Sequence, residues 1–172
     1  MKTPRNIFLV GPMGSGKSTA GRHLAKSLNK TFFDSDVEIE RTTGVSISLI
    51  FELEGESGFR QREQVIINQL TKRANIILAT GGGAILDKDN RTHLATRGFI
   101  VYLHAPIDLL VKRISQDKKR PLLKNVNTKQ KLEMIMRERE PLYRKIADIV
   151  ITTDGRNTHY VTQDIVRTIE EL

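Results

Sequence analysis

The sequence predicts an α/β fold in which helices cover both faces of a parallel β-sheet. Five short apolar runs, several rich in β-branched residues, alternate with longer stretches of helical periodicity, a pattern typical of parallel sheets. A glycine-rich turn joins the first apolar run to the first helical stretch. We expect one domain over residues 1–172, because a chain of this length can bury one core and no repeat or linker divides it.

The apolar runs and the periodic segments give the order of the elements. The predicted strands are Ile7–Val10, Thr31–Asp34, Ile76–Ala79, 99–103 and Ile149–Thr152. Helical periodicity predicts helices around residues 16–28, 65–70, 107–114, 132–146 and 158–172. In sheets of this kind, ligands bind beyond the carboxyl ends of the strands, so the residues that follow each strand are the functional candidates.

Composition narrows the class of partner. Lys and Arg number 28 against 20 Asp and Glu, a net charge of +8, but they are spread along the chain and do not interleave with aromatic residues. This distribution argues against a nucleic-acid surface and favours a phosphate-bearing nucleotide. Cysteine is absent, which excludes disulfides and thiolate metal sites.

Two further features bear on location. No apolar run is long enough to span a membrane. The first run, Ile7–Val10, is too short for the core of a signal peptide. We therefore expect a cytoplasmic protein without a membrane partner.

The turn after the first strand matches a complete P-loop. Residues 11–18 read Gly-Pro-Met-Gly-Ser-Gly-Lys-Ser, which fits G-x-x-x-x-G-K-[ST] in full. The backbone N–H groups and the positive end of the following helix suit phosphate oxygens. Lys17 is expected to reach the β- and γ-phosphates, and Ser18 to ligate Mg²⁺. The alternative is a strand-to-helix turn that binds nothing.

Two aspartates, Asp34 and Asp36, end or follow the second strand. On an extended segment, side chains two residues apart point the same way. One carboxylate could then hold Mg²⁺ through water while the other accepts a proton from an attacking hydroxyl. The alternative, compatible with function, is a helix N-cap in which Ser35 or Asp36 caps a helix over residues 37–43.

Three consecutive glycines, Gly81 to Gly83, follow the third strand. Glycine exposes bare backbone, which suits a ligand pressed against the main chain. A tight turn without a ligand is the alternative. The position beyond a strand end favours ligand binding.

Arginines in two helical segments are candidates for anion binding. Arg60 is spaced i, i+3 from Glu63, so an exposed helix ion pair is the alternative to a binding role. Pro141 interrupts the helical pattern after Arg139 and could kink the helix so that Arg139 turns inward. The alternative for Arg139 is a solvated helix face.

Two more arginines lie in loop-like stretches. Arg120 belongs to a polar, charged segment that could close as a lid over phosphates, or could be a solvated loop. Arg156 follows the fifth strand in a turn-like stretch where a nucleotide base could rest.

Taken in order, these motifs resemble the shikimate kinase family, with a similarity that runs from Asn6 to the C-terminus. The P-loop is shared by very many proteins, whereas the rest of the ordered set is far more specific. That set comprises Asp-Ser-Asp at 34–36, Phe-Arg at 59–60, the triple glycine at 81–83, Arg-Pro-Leu-Leu at 120–123 and Arg-Glu-Pro-Leu-Tyr at 139–143.

The resemblance implies a P-loop NTPase fold like that of nucleoside monophosphate kinases. It implies five parallel strands, a substrate-binding helical segment over about 37–70 and a lid over about 115–126. The implied reaction transfers the γ-phosphate of MgATP to the 3-hydroxyl of shikimate, in aromatic amino-acid biosynthesis. Members are commonly monomeric, so a monomer is expected.

The resemblance also assigns roles to residues. It gives ATP phosphate binding to Gly14, Ser15, Gly16, Lys17, Ser18, Thr19 and Arg120, and places Arg156 near the adenine. Mg²⁺ is bound by Ser18 directly and by Asp34 through water. Shikimate is held by Asp36, Arg60, Gly82 and Arg139, with both arginines on its carboxylate. The catalytic set is Lys17, Asp36 as candidate base, and Arg120.

Three other functions remain as alternatives. One is a different small-molecule kinase of this fold, such as a gluconate kinase, which the combination of Arg60, Arg139 and Asp36 disfavours. A second is a non-catalytic sensor of shikimate or ATP, which would be expected to lack Lys17 or Asp36. A third is a nucleic-acid-binding ATPase, which would bind DNA or RNA with a steep salt dependence.

Overall fold

A five-stranded parallel β-sheet forms the centre of the computed structural model, which describes residues 3–116 and 127–172. The strand order is β2-β3-β1-β4-β5, and each neighbouring pair is parallel. The strands are β1 (Ile7–Val10), β2 (Thr31–Asp34), β3 (Ile76–Ala79), β4 (Phe99–His104) and β5 (Ile149–Thr152). The predicted α/β class is confirmed, and β4 extends one residue beyond its predicted end.

Helices connect successive strands, as the alternating sequence pattern predicts. Their bounds in the described residues are α1 (Lys17–Leu28), α2 (Ser35–Thr43), α3 (Ile47–Thr71), α4 (Lys88–Arg97), α5 (Ile107–Ser115), α6 (Thr128–Ile146) and α7 (Thr158–Glu170). A single 3₁₀ turn, Ala84–Leu86, follows β3. The helix predicted at 65–70 is the last part of the much longer α3.

The core has two layers because alternate residues of each strand point to opposite faces of the sheet. In β1, Phe8 and Val10 pack with α3, α4 and α6 on one face. Ile7 and Leu9 pack with α1 and α7 on the other face. A smaller apolar cluster joins α5 to α6. Burial on both faces explains why the strand sequences are apolar throughout rather than alternating.

Polar caps and one glycine set the helix boundaries between β2 and β3. Asp34 caps α2, since its carboxylate accepts hydrogen bonds from the N–H groups of Asp36 and Val37. Ser46 caps α3 through the N–H of Leu49. Gly55 interrupts α3 with φ of 70°, a left-handed conformation that favours glycine. The predicted cap at Ser35 or Asp36 is wrong by one or two positions.

The sheet brings the carboxyl ends of all five strands to one edge, where the predicted functional residues follow them. The surface on which function is expected is therefore the carboxyl edge of the sheet.

Over residues 3–116 and 127–172, no helix combines the length and the apolar character that crossing a membrane requires.

A steric test of the core uses Gly98, which precedes β4 in an extended conformation that alanine adopts freely. A Cβ atom there would stand 2.5–2.8 Å from three ring atoms of the fully buried Phe8. Gly98→Ala is expected to lower the free energy of unfolding by about 1–3 kcal/mol, measured by urea denaturation. In a Phe8→Leu background the same change should cost less, since the ring is gone. Equal costs in both backgrounds would contradict this packing.

Candidate active site

A pocket of about 440 Å³ opens at the carboxyl edge of the sheet. One part of its wall is the P-loop with the start of α1, and another is formed by Asp34, Asp36 and the backbone from Thr80 to Gly82. Residues that follow β4 and β5 complete the lining, namely Arg113, Thr153, Arg156, Thr158 and Val161. The P-loop and the residues after β2 and β3 therefore meet as predicted.

The P-loop backbone takes conformations that its glycines permit. Gly14 and Gly16 have φ of 81° and 91°. Gly11 also has positive φ, and a Cβ atom there would stand 2.6 Å from the Leu103 carbonyl oxygen of β4. Gly16 caps α1 without a side-chain hydrogen bond. The N-terminal N–H groups of α1 thus have no side-chain cap at this position, which suits an anion.

Lys17 is buried and folds back over the P-loop. Its ammonium donates hydrogen bonds to the carbonyl oxygens of Gly11 and Pro12, at 2.7 and 2.8 Å. A cation held among backbone carbonyls at the start of a helix places positive charge where phosphate oxygens would lie.

Ser18 and Asp34 touch at the mouth of β2, where the Ser18 hydroxyl donates to Asp34 Oδ2. The other carboxylate oxygen of Asp34 is the cap of α2. A hydroxyl and a carboxylate in contact beside the P-loop are the hard oxygen ligands that Mg²⁺ takes alongside nucleotide phosphates. In the described part of the chain, no three His, Asp or Glu side chains form a metal cluster of their own.

Asp36 lies in the first turn of α2 and lines the pocket. The premise that Asp34 and Asp36 share one extended segment is wrong, because the strand ends at Asp34 and the helix begins at Ser35. The turn from strand to helix nevertheless brings both carboxylates to the same pocket.

Side chains from several elements converge on the glycine loop, which we define as Gly81–Gly83. The Gly81 N–H donates to the Ser35 hydroxyl at 3.0 Å. A Cβ atom on Gly81 would stand 2.8 Å from Asp36 Oδ1 and 3.0 Å from Glu63 Oε2. A Cβ atom on Gly82 would stand 3.1 Å from the Met13 backbone nitrogen of the P-loop. These neighbours explain why bare backbone is needed here.

The guanidinium of Arg60 packs directly on Gly83. A Cβ atom on Gly83 would stand 2.5 Å from Arg60 Nη1 and 2.6 Å from Cζ. Arg60 also lies 5.2 Å from the centre of the Phe59 ring. Arg60 itself does not line the 440 Å³ pocket, and its contact with Gly83 is what joins it to the glycine loop.

Glu63 is the ion-pair partner of Arg60, at 2.9 Å between Nη1 and Oε1. The sequence-based alternative of an exposed pair is wrong, because the Glu63 side chain is 1% exposed. Burial raises the pKa of the Glu63 carboxyl to about 7. The positive charges of Arg60 and Arg139 oppose this rise, whereas the negative charge of Asp36 adds to it. One buried carboxyl therefore interacts with three predicted substrate-binding side chains.

Arg139 is buried on α6, which confirms its inward orientation. The helix runs on through Pro141 to Ile146. Nη1 of Arg139 would lie 3.6 Å from a Cβ atom on Gly82. Arg139 thus approaches the glycine loop from α6 while Arg60 approaches it from α3.

Several pocket residues are absent from the sequence-based set, among them Arg113 and Thr153. Arg113 on α5 donates from Nη1 to the Gly14 carbonyl oxygen at 2.9 Å. No sequence signal identified it, since it is one of several basic residues on a helix. Thr153 is buried directly after β5, and its Oγ1 has no hydrogen-bond partner among the residues described. The rule that ligands bind beyond strand ends could have identified Thr153.

Arg156 lines the pocket, as its predicted place near the nucleotide requires. On its outer side it pairs with Asp154 at 2.8 Å and with Asp164 at 3.0 Å. Arg120 and most of the predicted lid lie outside the described residues, so their roles stay predictions. Of the predicted lid at 115–126, only residues 115 and 116 are described.

A family model and two similar curated relatives point to the same protein family. A family model described as shikimate kinase matches residues 13–170. A shikimate kinase of Vibrio cholerae is 50% identical over 171 residues, covering 99% of this chain and 98% of the relative. A shikimate kinase of Nitrosococcus oceani is 53% identical over 166 residues, covering 96% and 87%.

Solved structures agree with these relatives. The shikimate kinase of Acinetobacter baumannii in complex with shikimate has a TM-score of 0.96 and 50% identity, covering 98% of this chain and 94% of that one. A gluconokinase of Sinorhizobium meliloti has a TM-score of 0.63 at 15% identity, covering 99% and 94%. The second likeness is one of fold alone.

The raised pKa of Glu63 predicts a pH-dependent stability term. The ordinary pKa of a glutamate carboxyl is about 4.5. Between about pH 4.5 and 7, the folded chain therefore keeps a proton on Glu63 that the unfolded chain releases. The contribution of Glu63 to the free energy of unfolding therefore falls as the pH rises through this window, by up to about 1.4 kcal/mol per pH unit. Urea denaturation of wild type and Glu63→Gln between pH 4.5 and 8 measures the difference.

Glu56→Gln is the matched control, because Glu56 is an exposed partner of the same Arg60 guanidinium. If the free energy of unfolding of the wild type rises relative to that of Glu63→Gln between pH 5 and 7, the raised pKa is contradicted.

Proposed function

The chain belongs to the shikimate kinase family, and on this premise we propose which of its residues bind ATP, bind shikimate and take part in the transfer. Shikimate kinase is an ATP-dependent phosphotransferase of the shikimate pathway. We propose that the γ-phosphate goes to the 3-hydroxyl, giving shikimate 3-phosphate and ADP. The observation that carries the assignment is that Asp36 lines the same pocket as Lys17 and Ser18.

The nucleotide half of the proposed site is the P-loop. Gly14, Ser15, Gly16 and Thr19 surround the phosphates, with backbone N–H groups at the start of α1 as donors. Lys17 lies against the carbonyls of Gly11 and Pro12, from which its ammonium can turn to the β- and γ-phosphates. Positive charge there stabilises the charge that develops on the transferred group.

Ser18 and Asp34 are the residues that we propose would hold Mg²⁺. The Ser18 hydroxyl would bind it directly and the Asp34 carboxylate through water; their contact supports this oxygen pair as the donor set. When bound, the metal neutralises phosphate charge and orients the γ-phosphate. The second oxygen of Asp34 stays engaged as the α2 cap, which fixes the orientation of the carboxylate.

The acceptor half consists of Asp36, the glycine loop and two arginines. We assign Asp36 to the substrate hydroxyls and, as candidate base, to the proton released on transfer. Arg60 and Arg139 are assigned to the carboxylate of shikimate, because planar guanidinium groups bind carboxylates through paired hydrogen bonds. The position of Arg60 beside Gly83 and of Arg139 beside Gly82 supports this assignment.

Glu63 acts on the acceptor half through Arg60. Its ion pair at 2.9 Å holds Nη1 of the guanidinium, while Nη2 lies 3.4 Å from the exposed Glu56, so the guanidinium is held by two carboxylates. Phosphoryl transfer depends mainly on positioning and charge stabilisation, so a rigidly held arginine contributes to rate as well as to affinity.

The remaining basic residues are assigned to the nucleotide. Arg113 bonds the Gly14 carbonyl and lines the pocket, which supports a contact with ATP. Arg156 is proposed to lie beside the adenine, and Arg120 to reach the phosphates. A lid that excludes water would limit ATP hydrolysis in the absence of shikimate.

A gluconate kinase and a non-catalytic sensor are the competing functions. The gluconokinase likeness is one of fold at 15% identity. Lys17 and Asp36, the residues a sensor would be expected to lack, are both present in the pocket. A cytoplasmic location, a monomeric state and the absence of nucleic-acid binding stay predictions.

The first experiment is a coupled ADP-release assay with MgATP, with and without shikimate, on wild type and Asp36→Asn. We expect shikimate-dependent turnover in wild type and a fall in kcat of at least about 100-fold in Asp36→Asn. Glu38→Gln, a change on the same helix outside the pocket, is the control. Turnover that does not depend on shikimate, or Asp36→Asn with wild-type kcat, would contradict the assignment.

A second experiment tests the carboxylate contacts. Arg139→Lys should raise the KM for shikimate roughly tenfold or more, because lysine cannot form the paired bonds. The KM for ATP should stay within about twofold of wild type. Arg137→Lys, on the exposed side of the same helix, should change neither constant. An equal loss for both substrates would argue for a structural defect instead.

A further inference from the structure

The carbonyl groups of the glycine loop are held from outside the pocket. The Gly81 carbonyl accepts a hydrogen bond from the Ala84 N–H at 3.1 Å. The Gly82 carbonyl accepts one from the hydroxyl of Tyr143, at 2.5 Å. The second bond comes from α6, the helix that carries Arg139 one turn earlier.

Tyr143 is built into the core, so its hydroxyl has a fixed position. The side chain is 1% exposed, and its ring stacks on Tyr102 with centroids 5.1 Å apart and planes at 26°. Burial raises the pKa of the Tyr143 phenol, and the neighbouring Arg139 opposes part of that rise. The phenol stays protonated at neutral pH and remains a donor.

The bond fixes the peptide that joins Gly82 to Gly83. Because a peptide is planar, holding the Gly82 carbonyl also holds the N–H and the position of Gly83. Gly83 is the surface on which the Arg60 guanidinium packs. Gly82 itself lies beside both Arg139 and the P-loop backbone. A shift of this peptide would therefore displace both proposed shikimate contacts together.

We propose that Tyr143 is a positioning residue for the acceptor substrate, acting through the Gly82 carbonyl on the glycine loop and on Arg60, and through its own side-chain interaction with Arg139. The proposal rests on the assignment of Gly82, Arg60 and Arg139 to shikimate. Its hydroxyl touches no reacting group and supplies no proton to the transfer. The Tyr143 hydroxyl instead holds the backbone of the glycine loop in place between α6 and the substrate.

Tyr143→Phe removes the hydroxyl and keeps the ring. The Gly82 carbonyl would then lose its buried donor. Such a loss corresponds to a change of roughly 5- to 150-fold in an equilibrium constant. We expect kcat/KM for shikimate to fall about tenfold or more, while the KM for ATP stays within about twofold of wild type. Steady-state assays with each substrate varied in turn measure the difference.

Tyr102→Phe is the matched control. Tyr102 is the other member of the stack and is fully buried, but its hydroxyl faces Glu140 rather than the glycine loop. We expect both kinetic constants of Tyr102→Phe to stay within about twofold of wild type. The control therefore separates loss of the Gly82 bond from loss of a buried tyrosine hydroxyl in general.

A second measurement reads the backbone itself. Glycine labelled with ¹⁵N gives signals from the 12 glycines, among them Gly82 and Gly83. In Tyr143→Phe without ligands, the amide signals of Gly82 and Gly83 should shift most, and in Tyr102→Phe they should not. This readout does not require activity.

Three outcomes would overturn the proposal: wild-type kinetics for shikimate in Tyr143→Phe, equal losses for shikimate and ATP, or the same shikimate defect in Tyr102→Phe. Failure of the proposed function is distinct, because it would appear in the wild type as turnover without shikimate dependence.

Discussion

The bare backbone at residues 81–83 is the constraint on which the proposed acceptor half of the site depends. Carboxylates from α2 and α3 lie beside Gly81, the P-loop backbone lies beside Gly82, and the Arg60 guanidinium packs on Gly83. Any side chain here would displace one of these groups. Glycine is needed at Gly83 for space and not for backbone conformation, since its φ of −95° is one that other residues adopt. Glycine is required because α2, α3, α6 and the P-loop converge on one stretch of chain.

The strand order explains why these parts meet. β2, β3 and β1 are neighbours in the sheet, so the two aspartates, the glycine loop and the P-loop leave the same edge side by side. β4 and β5 lie on the other side of β1 and bring Arg113, Thr153 and Arg156 to the proposed nucleotide end of the pocket. Behind the glycine loop, the buried Glu63 carboxyl interacts with Arg60, Arg139 and Asp36 and links the charges of the acceptor half.

Local patterns in the sequence predict most of the fold and the nucleotide half of the site. The strands and the P-loop are visible because they depend on apolar runs and a motif, and the inward Arg139 is inferred from its place before Pro141. The predicted cap lies one or two residues beyond the observed cap, Asp34, since an extended segment and a helix start have similar local sequence. The burial of Glu63 could not be predicted, because a charged residue beside an arginine at i, i+3 reads as an exposed pair. Arg113 depends on a contact with Gly14, 99 residues away.

The most direct test of this account is the kinetics of Gly83→Ala, since alanine can adopt the backbone at this position and only its Cβ atom is new. The account predicts that Gly83→Ala binds ATP like the wild type but loses at least about 100-fold in kcat/KM for shikimate, because the Arg60 guanidinium is pushed from its place beside Glu63. Wild-type kinetics for shikimate in Gly83→Ala would contradict the claim that the bare glycine backbone organises the acceptor site.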